Sequence, residues 1–408
     1  MSVLVRPFAA LRPTAATAAD VVAPPYDVVS TEEARTLAAG RPASFLHISR
    51  PEIDLPAGSS PYSDAAYAQG ARSLERLIAE RVLVRDSKPT YYIYRMVMGG
   101  LAQTGVAFAA SVRAYEQNRI RRHELTRPDK ENDRVRNIAT LNAQTGPVLL
   151  AYRASDALRE LLAVATNAAP LFSVTGPNDV VHTVWDTGPA TDATLEAELD
   201  ALEALYIADG HHRSAAAARV AAERRGTSDA SHEFFLAVAF PHDELRILDY
   251  NRVVRDLNGL SADALLTQIR ESFDVAELPA GRSPPQPETF SMYLGRSWYE
   301  LGLHRALVPR TDPVASLDIS LLQAHLLGPI LNIDNPRTDA RIDFVGGIRG
   351  LGELEQRVQS GRAAVAFALH PTSMEQLMAV ADAGKLMPPK STWFEPKLAD
   401  GLLTHVLD

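Results

Sequence analysis

Residues 205–226 restrict the fold of this chain more than any other stretch. Leu205-Tyr206-Ile207-Ala208 is an apolar run of strand length. It passes without a linker into Asp209-Gly210-His211-His212-Arg213, and then into an alanine-rich segment ending at Gly226. Alanine is the strongest helix former, and glycine is common just beyond a helix C-terminus. The spacing therefore predicts a buried strand, a tight bend and a helix. Glycine in the bend allows close backbone approach to a ligand. The helix that follows begins with free N–H groups and the positive end of its dipole, which suits an anion. Arg213 adds a planar fork matched to phosphate. His211 or His212 can donate a hydrogen bond or shuttle a proton, and Asp209 can hold a metal or orient a histidine. Five successive polar or glycine residues after a buried strand are more than capping requires.

The remaining pattern predicts further elements of both kinds. Ser30 and Glu33 have capping-box spacing for a short helix, and the prolines at 24 and 25 hold residues 20–29 extended. Tyr67, Ala71, Leu74, Ile78 and Val82 recur at helical spacing over 63–82. Residues 90–98 and 103–114 read as strands joined through Gly99-Gly100. A charged helix spans 128–143, with Pro128 in its first turn. Strands are expected at 148–152, 171–175, 180–186, 234–240, 288–294 and 363–369, with helices at 156–168, 192–203 and from Ser373 to about Ala383. This irregular alternation predicts an α+β protein with a mixed sheet. Three segments are expected: 1–88, 89–277 and 278–408, the proline-rich stretch 278–287 marking a lobe boundary.

With 408 residues, 46% of them hydrophobic, the chain can build a large core and two lobes. Its formal charge of -9 argues against coating nucleic acid, which needs a basic face. Local basic clusters point instead to a small anionic ligand. The absence of cysteine excludes disulfides, thiolate metal sites and cysteine nucleophiles. The apolar run in Met1–Pro7 is too short for a signal peptide, and no apolar run is long enough for a membrane span. The expectation is a cytoplasmic protein.

Three other segments hold candidate chemistry. In Ile120–Arg134, Glu124 precedes the helix and could deprotonate a hydroxyl. Lys130 and Arg134 could bind phosphate, and Glu131 and Asp133 could hold Mg²⁺ through oxygen ligands. Many of these charges also fit a solvated helix face. Gly384–Thr392 has superficial P-loop spacing, but proline stands where the second glycine belongs, and proline cannot form the cradle. Lys390, Ser391 and Thr392 could still supply donors to an anion. Pro24-Pro25-Tyr26-Asp27, with His47, Arg50 and Pro51 downstream, could wall a substrate site. Adjacent His211 and His212 point in different directions and do not share a zinc ion.

Together, Pro24–Val28, His47–Glu52, His123–Thr126, Asp133-Arg134, Ala208–Arg213 and Met387–Lys397 resemble the motifs of a widespread bacterial and archaeal domain-of-unknown-function family. The His-Glu pair and the Asp-Gly-His-x-Arg loop are also similar to those of ParB-like free serine kinases, although a longer stretch separates them here. That resemblance implies a ParB-like core with a large additional lobe. It implies Glu124 as base toward a serine hydroxyl, and Asp209, His211 and Arg213 as a phosphate loop. His212 joins the catalytic set. His123, Arg134, Tyr26, Asp27 and the Lys390–Thr392 loop join the binding set, and Asp209 and Asp133 the metal set. The implied activity is phosphoryl transfer between L-serine and phosphoserine, as a kinase or a phosphatase, with Mg²⁺ and with ATP, ADP or pyrophosphate as donor or acceptor. The alternative is a ParB-like regulator that binds a nucleotide or phosphoserine without turnover.

Overall fold

Gly99 and Gly100 both take positive φ, +55° and +84°, the backbone a tight hairpin demands. They join the strands Tyr92–Met98 and Leu101–Ser111, paired antiparallel from Tyr92 opposite Ala107 to Met98 opposite Leu101. This hairpin lies inside a larger sheet. The computed structural model describes residues 3–226 and 230–408, and these divide into two units. The first comprises Met1–Leu245 and Pro396–Asp408, and the second Arg246–Glu395.

In the first unit nine described strands form one sheet. Its order is Ile120–Arg121, Leu205–Asp209, Val148–Tyr152, Phe234–Pro241, Leu101–Ser111, Tyr92–Met98, Val181–Asp186 and Phe172–Thr175, with Val5–Arg6 also on Leu101–Ser111. Two pairings are parallel, Leu205–Asp209 on Ile120–Arg121 and Phe234–Pro241 on Val148–Tyr152, and the others are antiparallel. The sheet is mixed, as expected. Its main core joins Ile93, Phe108, Leu150, Ile207 and Phe235 to Leu158 and Leu199 of the helices Asp156–Ala165 and Pro189–Ala201. The helix His211–Glu223 adds Ala217 and Ala221, and its small side chains let the helix lie close to the strands Val148–Tyr152 and Phe234–Pro241. A second cluster gathers Leu11, Val21, Phe45 and Ile48 with Leu74 and Leu77 of Asp64–Ala79.

The second unit carries an antiparallel six-stranded sheet: Phe273–Leu278, Ser297–Leu303, Thr289–Leu294, Val365–Leu369, Tyr250–Val254 and Ile342–Gly346. Trp298, Val345, Leu354 and Ala366 are part of its core. Ser373 caps Met374–Asp382 in a capping box with Gln376. Among the described residues, no helix is long and apolar enough to cross a membrane.

Two local expectations need correction. The second hairpin strand stops at Ser111 because its hydroxyl accepts from the Ala114 amide at 3.2 Å, capping a short helix, Val112–Glu116. Residues 20–29 are not extended throughout. They start at the end of the helix Ala18–Val21, bridge antiparallel at Ala23 to Asp400, and then turn, with the Val28 amide donating to the Pro25 carbonyl at 3.2 Å. The Ser30–Glu33 capping box forms as read.

Gly105 is the point of closest packing in the hairpin: a Cβ there would lie 2.4 Å from the Ala239 carbonyl oxygen and 2.8 Å from the Phe240 ring. Backbone of a central strand cannot retreat as a side chain can. Gly105→Ala should therefore destabilise the chain by roughly 1–3 kcal/mol. A lowered thermal unfolding midpoint checks this, and an unchanged midpoint would show that the sheet opens at this point without cost.

Candidate functional site

The strand Leu205–Asp209 ends in a bend that only glycine accepts readily. Gly210 has φ +107°, and a Cβ on it would stand 3.1 Å from Arg213 Nε and 3.3 Å from Val148 Cα. This opening lets Arg213 fold back beneath the bend. Its guanidinium donates to the Pro147 carbonyl and lies 3.5 Å from Asp209 Oδ2. Lys397 Nζ reaches the same oxygen at 3.1 Å. Burial works against an ionised Asp209, but Lys397 and Arg213, with His211, hold its carboxyl well below the usual carboxylate range. No side chain caps the helix that starts at His211.

His211 turns inward. Its ring packs edge-on to that of His123 with centroids 4.5 Å apart, and its Nε2 accepts from the His123 backbone amide at 3.4 Å. With Nε2 accepting, the proton of the neutral ring sits on Nδ1. Nδ1 is the atom that faces Glu124, at 3.9 Å from Oε2. Burial, reinforced by His123, keeps His211 neutral at physiological pH, and burial pushes His123 down to about 4. The Glu124 side chain remains 44% exposed, so solvent or a ligand can reach it. His212 faces the other way, and its Nε2 accepts from the Arg127 amide at 3.0 Å. The two adjacent histidines diverge, as the sequence implied.

Arg134 lies on the helix Pro128–Leu141, its guanidinium 3.8 Å from the Tyr26 ring centroid. Two of its nitrogens donate to Asp133 Oδ2, at 2.9 and 2.7 Å, while the Tyr67 hydroxyl donates to Asp133 Oδ1 at 2.6 Å. Arg134 and Arg213 both line a small cavity with Tyr26, Thr145, Gly146 and Asp400. At about 30 Å³ it has room for one water. Asp400 is buried with Oδ1 unpartnered, and burial pushes its carboxyl up to about 7 against the pull of Arg213. Asp27 is exposed, and its charge acts on both His212 and Arg213.

Several roles expected from the sequence do not match this geometry. Asp133 is committed to Tyr67 and Arg134, and Asp209 lies between two cations, so neither is set to ligate a metal. Glu131 accepts from Thr126 at 2.9 Å and from Arg219 at 3.0 Å, and Lys130 donates to the Tyr62 hydroxyl at 2.8 Å. These are the ties of a packed helix face. Among the described residues, the side chains that could share a cation are His123, Glu124 and His211. Two imidazoles and one carboxylate are a poor set for Mg²⁺, which takes oxygen ligands. Among the described residues there is thus no cluster fitted to Mg²⁺. Lys390, Ser391 and Thr392 belong to the second unit, where Lys390 stands 5.5 Å from the Tyr250 ring centroid and the Ser391 hydroxyl donates to Pro388 at 2.6 Å.

The sequence reading missed Lys397 and Asp400. Lys397 lay inside a recognised motif without a role, and its pairing with Asp209 spans 188 residues. Asp400 stands in the same C-terminal segment, which the bridge to Ala23 and the Ala399 amide on the Tyr94 hydroxyl at 3.3 Å hold in place.

Solved structures similar to this chain include a free serine kinase variant in complex with AMP, at 11% identity and TM-score 0.36, covering 75% of this chain and 88% of that one. SbnI from Staphylococcus aureus, with a C-terminal truncation, matches at 12% identity and TM-score 0.39, covering 74% and 87%. A conserved hypothetical protein from Pyrococcus furiosus matches at 13% identity and TM-score 0.33, covering 73% and 94%. Among curated proteins, no sequence matches. Residues 5–320 match the family described as "Protein of unknown function (DUF1015)", and the chain belongs to that family.

Proposed function

We propose that the first unit carries a phosphoryl-transfer site acting between the hydroxyl of L-serine and phosphoserine. The observation that carries the reading is the meeting of Glu124 with His211 at 3.9 Å, at the start of a helix whose third residue is the half-buried Arg213. A reachable carboxylate and a cationic anchor are the two things such a transfer needs from side chains. In the kinase direction Glu124 takes the serine hydroxyl proton as oxygen attacks phosphorus. In the phosphatase direction it takes a proton from water. The neutral His211, with its proton on Nδ1, steers the carboxylate without discharging it. Arg213 and Arg134 hold the phosphoryl oxygens at the rim of the small cavity, since its interior is too small for a phosphate. ATP, ADP or pyrophosphate serves as the other phosphoryl partner.

Replacing Glu124 by Gln removes the base and keeps the shape. Turnover should fall by about 10²–10⁴-fold while phosphoserine affinity changes little. Phosphorus NMR of phosphoserine with phosphate or ADP reads the first quantity, and calorimetry the second. Phosphoserine that binds the native chain but is never converted would make the protein a binding regulator. Conversion that survives in Glu124→Gln would remove Glu124 from the mechanism.

Arg213→Lys keeps a charge but loses the fork that spans Pro147, Asp209 and the ligand. Phosphoserine affinity should drop by about tenfold to a hundredfold, the worth of one or two charge-assisted hydrogen bonds. A drop below about twofold would place the anion elsewhere.

Asp400 gives the site a pH dependence. Its carboxyl has been pushed up to about 7, so it is neutral below that pH and negative above it. A negative Asp400 subtracts from the field of Arg213 and Arg134. Affinity for an anion therefore falls as pH rises through 7. Asp400→Asn should remove this step and leave only the ligand's own ionisation, near pH about 6 for phosphoserine. Calorimetry of both proteins across this range checks it, and parallel curves would clear Asp400 of the effect.

A further inference from the structure

Arg252, in the strand Tyr250–Val254 of the second unit, is 2% exposed, and among the described residues no carboxylate pairs with it. Its guanidinium donates to three backbone carbonyls, those of Tyr250, of Pro389 at 3.3 Å and of Lys390 at 2.9 Å, and lies 5.2 Å from the Phe344 ring centroid. These carbonyls orient the guanidinium but supply no counter-charge. Burial pulls its pKa down to about 9, offset only by Tyr250. A buried unpaired cation of this kind is costly unless something neutralises it.

Beside Arg252 lies a cavity of about 160 Å³ lined also by Ile319, Ser320, Gln323, Ala324 and Leu327. That is close to the size of an engineered cavity, about 150 Å³, that holds a benzene ring. Two of the lining groups have buried polar atoms without a partner, Ser320 Oγ and Gln323 Oε1. Gln323 is fixed in this orientation because its amide nitrogen donates to the Ile333 carbonyl at 2.6 Å. Its oxygen is left to accept from something else. Gln323 also opens a π-helical turn, Gln323–Leu327, a departure from α geometry that frequently marks a site. Ordered water could satisfy Ser320 and Gln323, but water brings no charge to Arg252.

We propose that this cavity binds a small apolar monocarboxylic acid bearing a hydroxyl or an amine on the carbon next to its carboxylate. The carboxylate neutralises Arg252. The hydroxyl or ammonium donates to Gln323 Oε1. The hydrocarbon body fills the space against Ile319, Ala324 and Leu327. One guanidinium and apolar walls match a single negative charge, and they fit a phosphate dianion poorly. The Pro389 and Lys390 carbonyls that hold Arg252 belong to the Met387–Lys397 motif, of which the transfer site in the first unit uses Lys397. The proposal stands independently of the phosphoryl-transfer reading.

The test uses the full chain and calorimetry with 2-hydroxyisovalerate, L-valine, isovalerate and isovaleramide. One or both of the first two should bind, isovalerate more weakly, and the uncharged isovaleramide not at all. Ala324→Phe closes the mouth of the cavity without touching Arg252 and should weaken binding at least about tenfold, as should Arg252→Gln where that variant folds. Glu124→Gln, in the other unit, should leave binding unchanged. The proposal is overturned if none of the acids binds at millimolar concentration, if isovaleramide binds as well as isovalerate, or if Ala324→Phe binds as tightly as the native chain.

Discussion

The candidate site of the first unit depends on one arrangement, the sharing of Asp209 between Arg213 and Lys397 at the Gly210 bend. Removing an ion from water costs several kcal/mol even after the protein relaxes. A single opposite charge at about 4 Å returns about 4 kcal/mol at an effective dielectric of 20. One partner would leave the balance near zero. Two cations on one carboxylate, at 3.1 and 3.5 Å, tip it, and they leave the group with a net positive charge that faces the helix start. The left-handed bend is what makes the sharing possible. A side chain at position 210 would press on Arg213 Nε and would be strained by the positive φ of the bend.

The same reasoning explains why the second arginine does not disturb the first. Arg134 brings its own carboxylate, Asp133, and Asp133 is anchored in turn by the Tyr67 hydroxyl. The pair enters the site as a neutral unit with one guanidinium edge against Tyr26. Asp400 then completes the charge balance. Buried with an unpartnered oxygen, it can be neutral or negative near pH 7, which lets the cavity tolerate either an anion at its rim or its own carboxylate. A carboxyl held at that balance is a tuning element, since small changes in its surroundings change the field at the rim.

Much of this architecture was legible in the sequence because local signals carried it. The Gly99-Gly100 hairpin, the Ser30 and Ser373 capping boxes, the strand into Asp209 and the helix after Gly210 all follow from residues adjacent in the chain. The meeting of Glu124 with His211 rested instead on matched motifs, because it joins residues 87 positions apart through the parallel pairing of Ile120–Arg121 with Leu205–Asp209. The errors lie where identity alone was asked to set a role. Asp133 and Glu131 look like metal ligands as residue types, but tertiary partners decide what a carboxylate does, and Tyr67, Arg134 and Arg219 had claimed them. Lys397 and Asp400 were illegible for the same reason. A lysine and an aspartate near a C-terminus carry no signal until the chain returns to pair with Ala23 and Asp209.

The inward-facing arginines differ in whether the chain itself sets a carboxylate against them. Arg50 has Glu52 at 2.8 Å, Arg134 has Asp133, and Arg213 has Asp209. Each is half-buried, and the chain provides its counter-ion whether or not a ligand is bound. Arg252 differs in kind. Its partners are dipoles, so three hydrogen bonds hold it in place without a counter-charge. Hydrogen bonds fix where a guanidinium points, whereas a carboxylate also cancels its field. A residue given the first without the second is held in place with its field still directed into the adjoining space. In the second unit that space is a cavity with two more unmet polar atoms, so the geometry and the electrostatics of Arg252 single out the same volume.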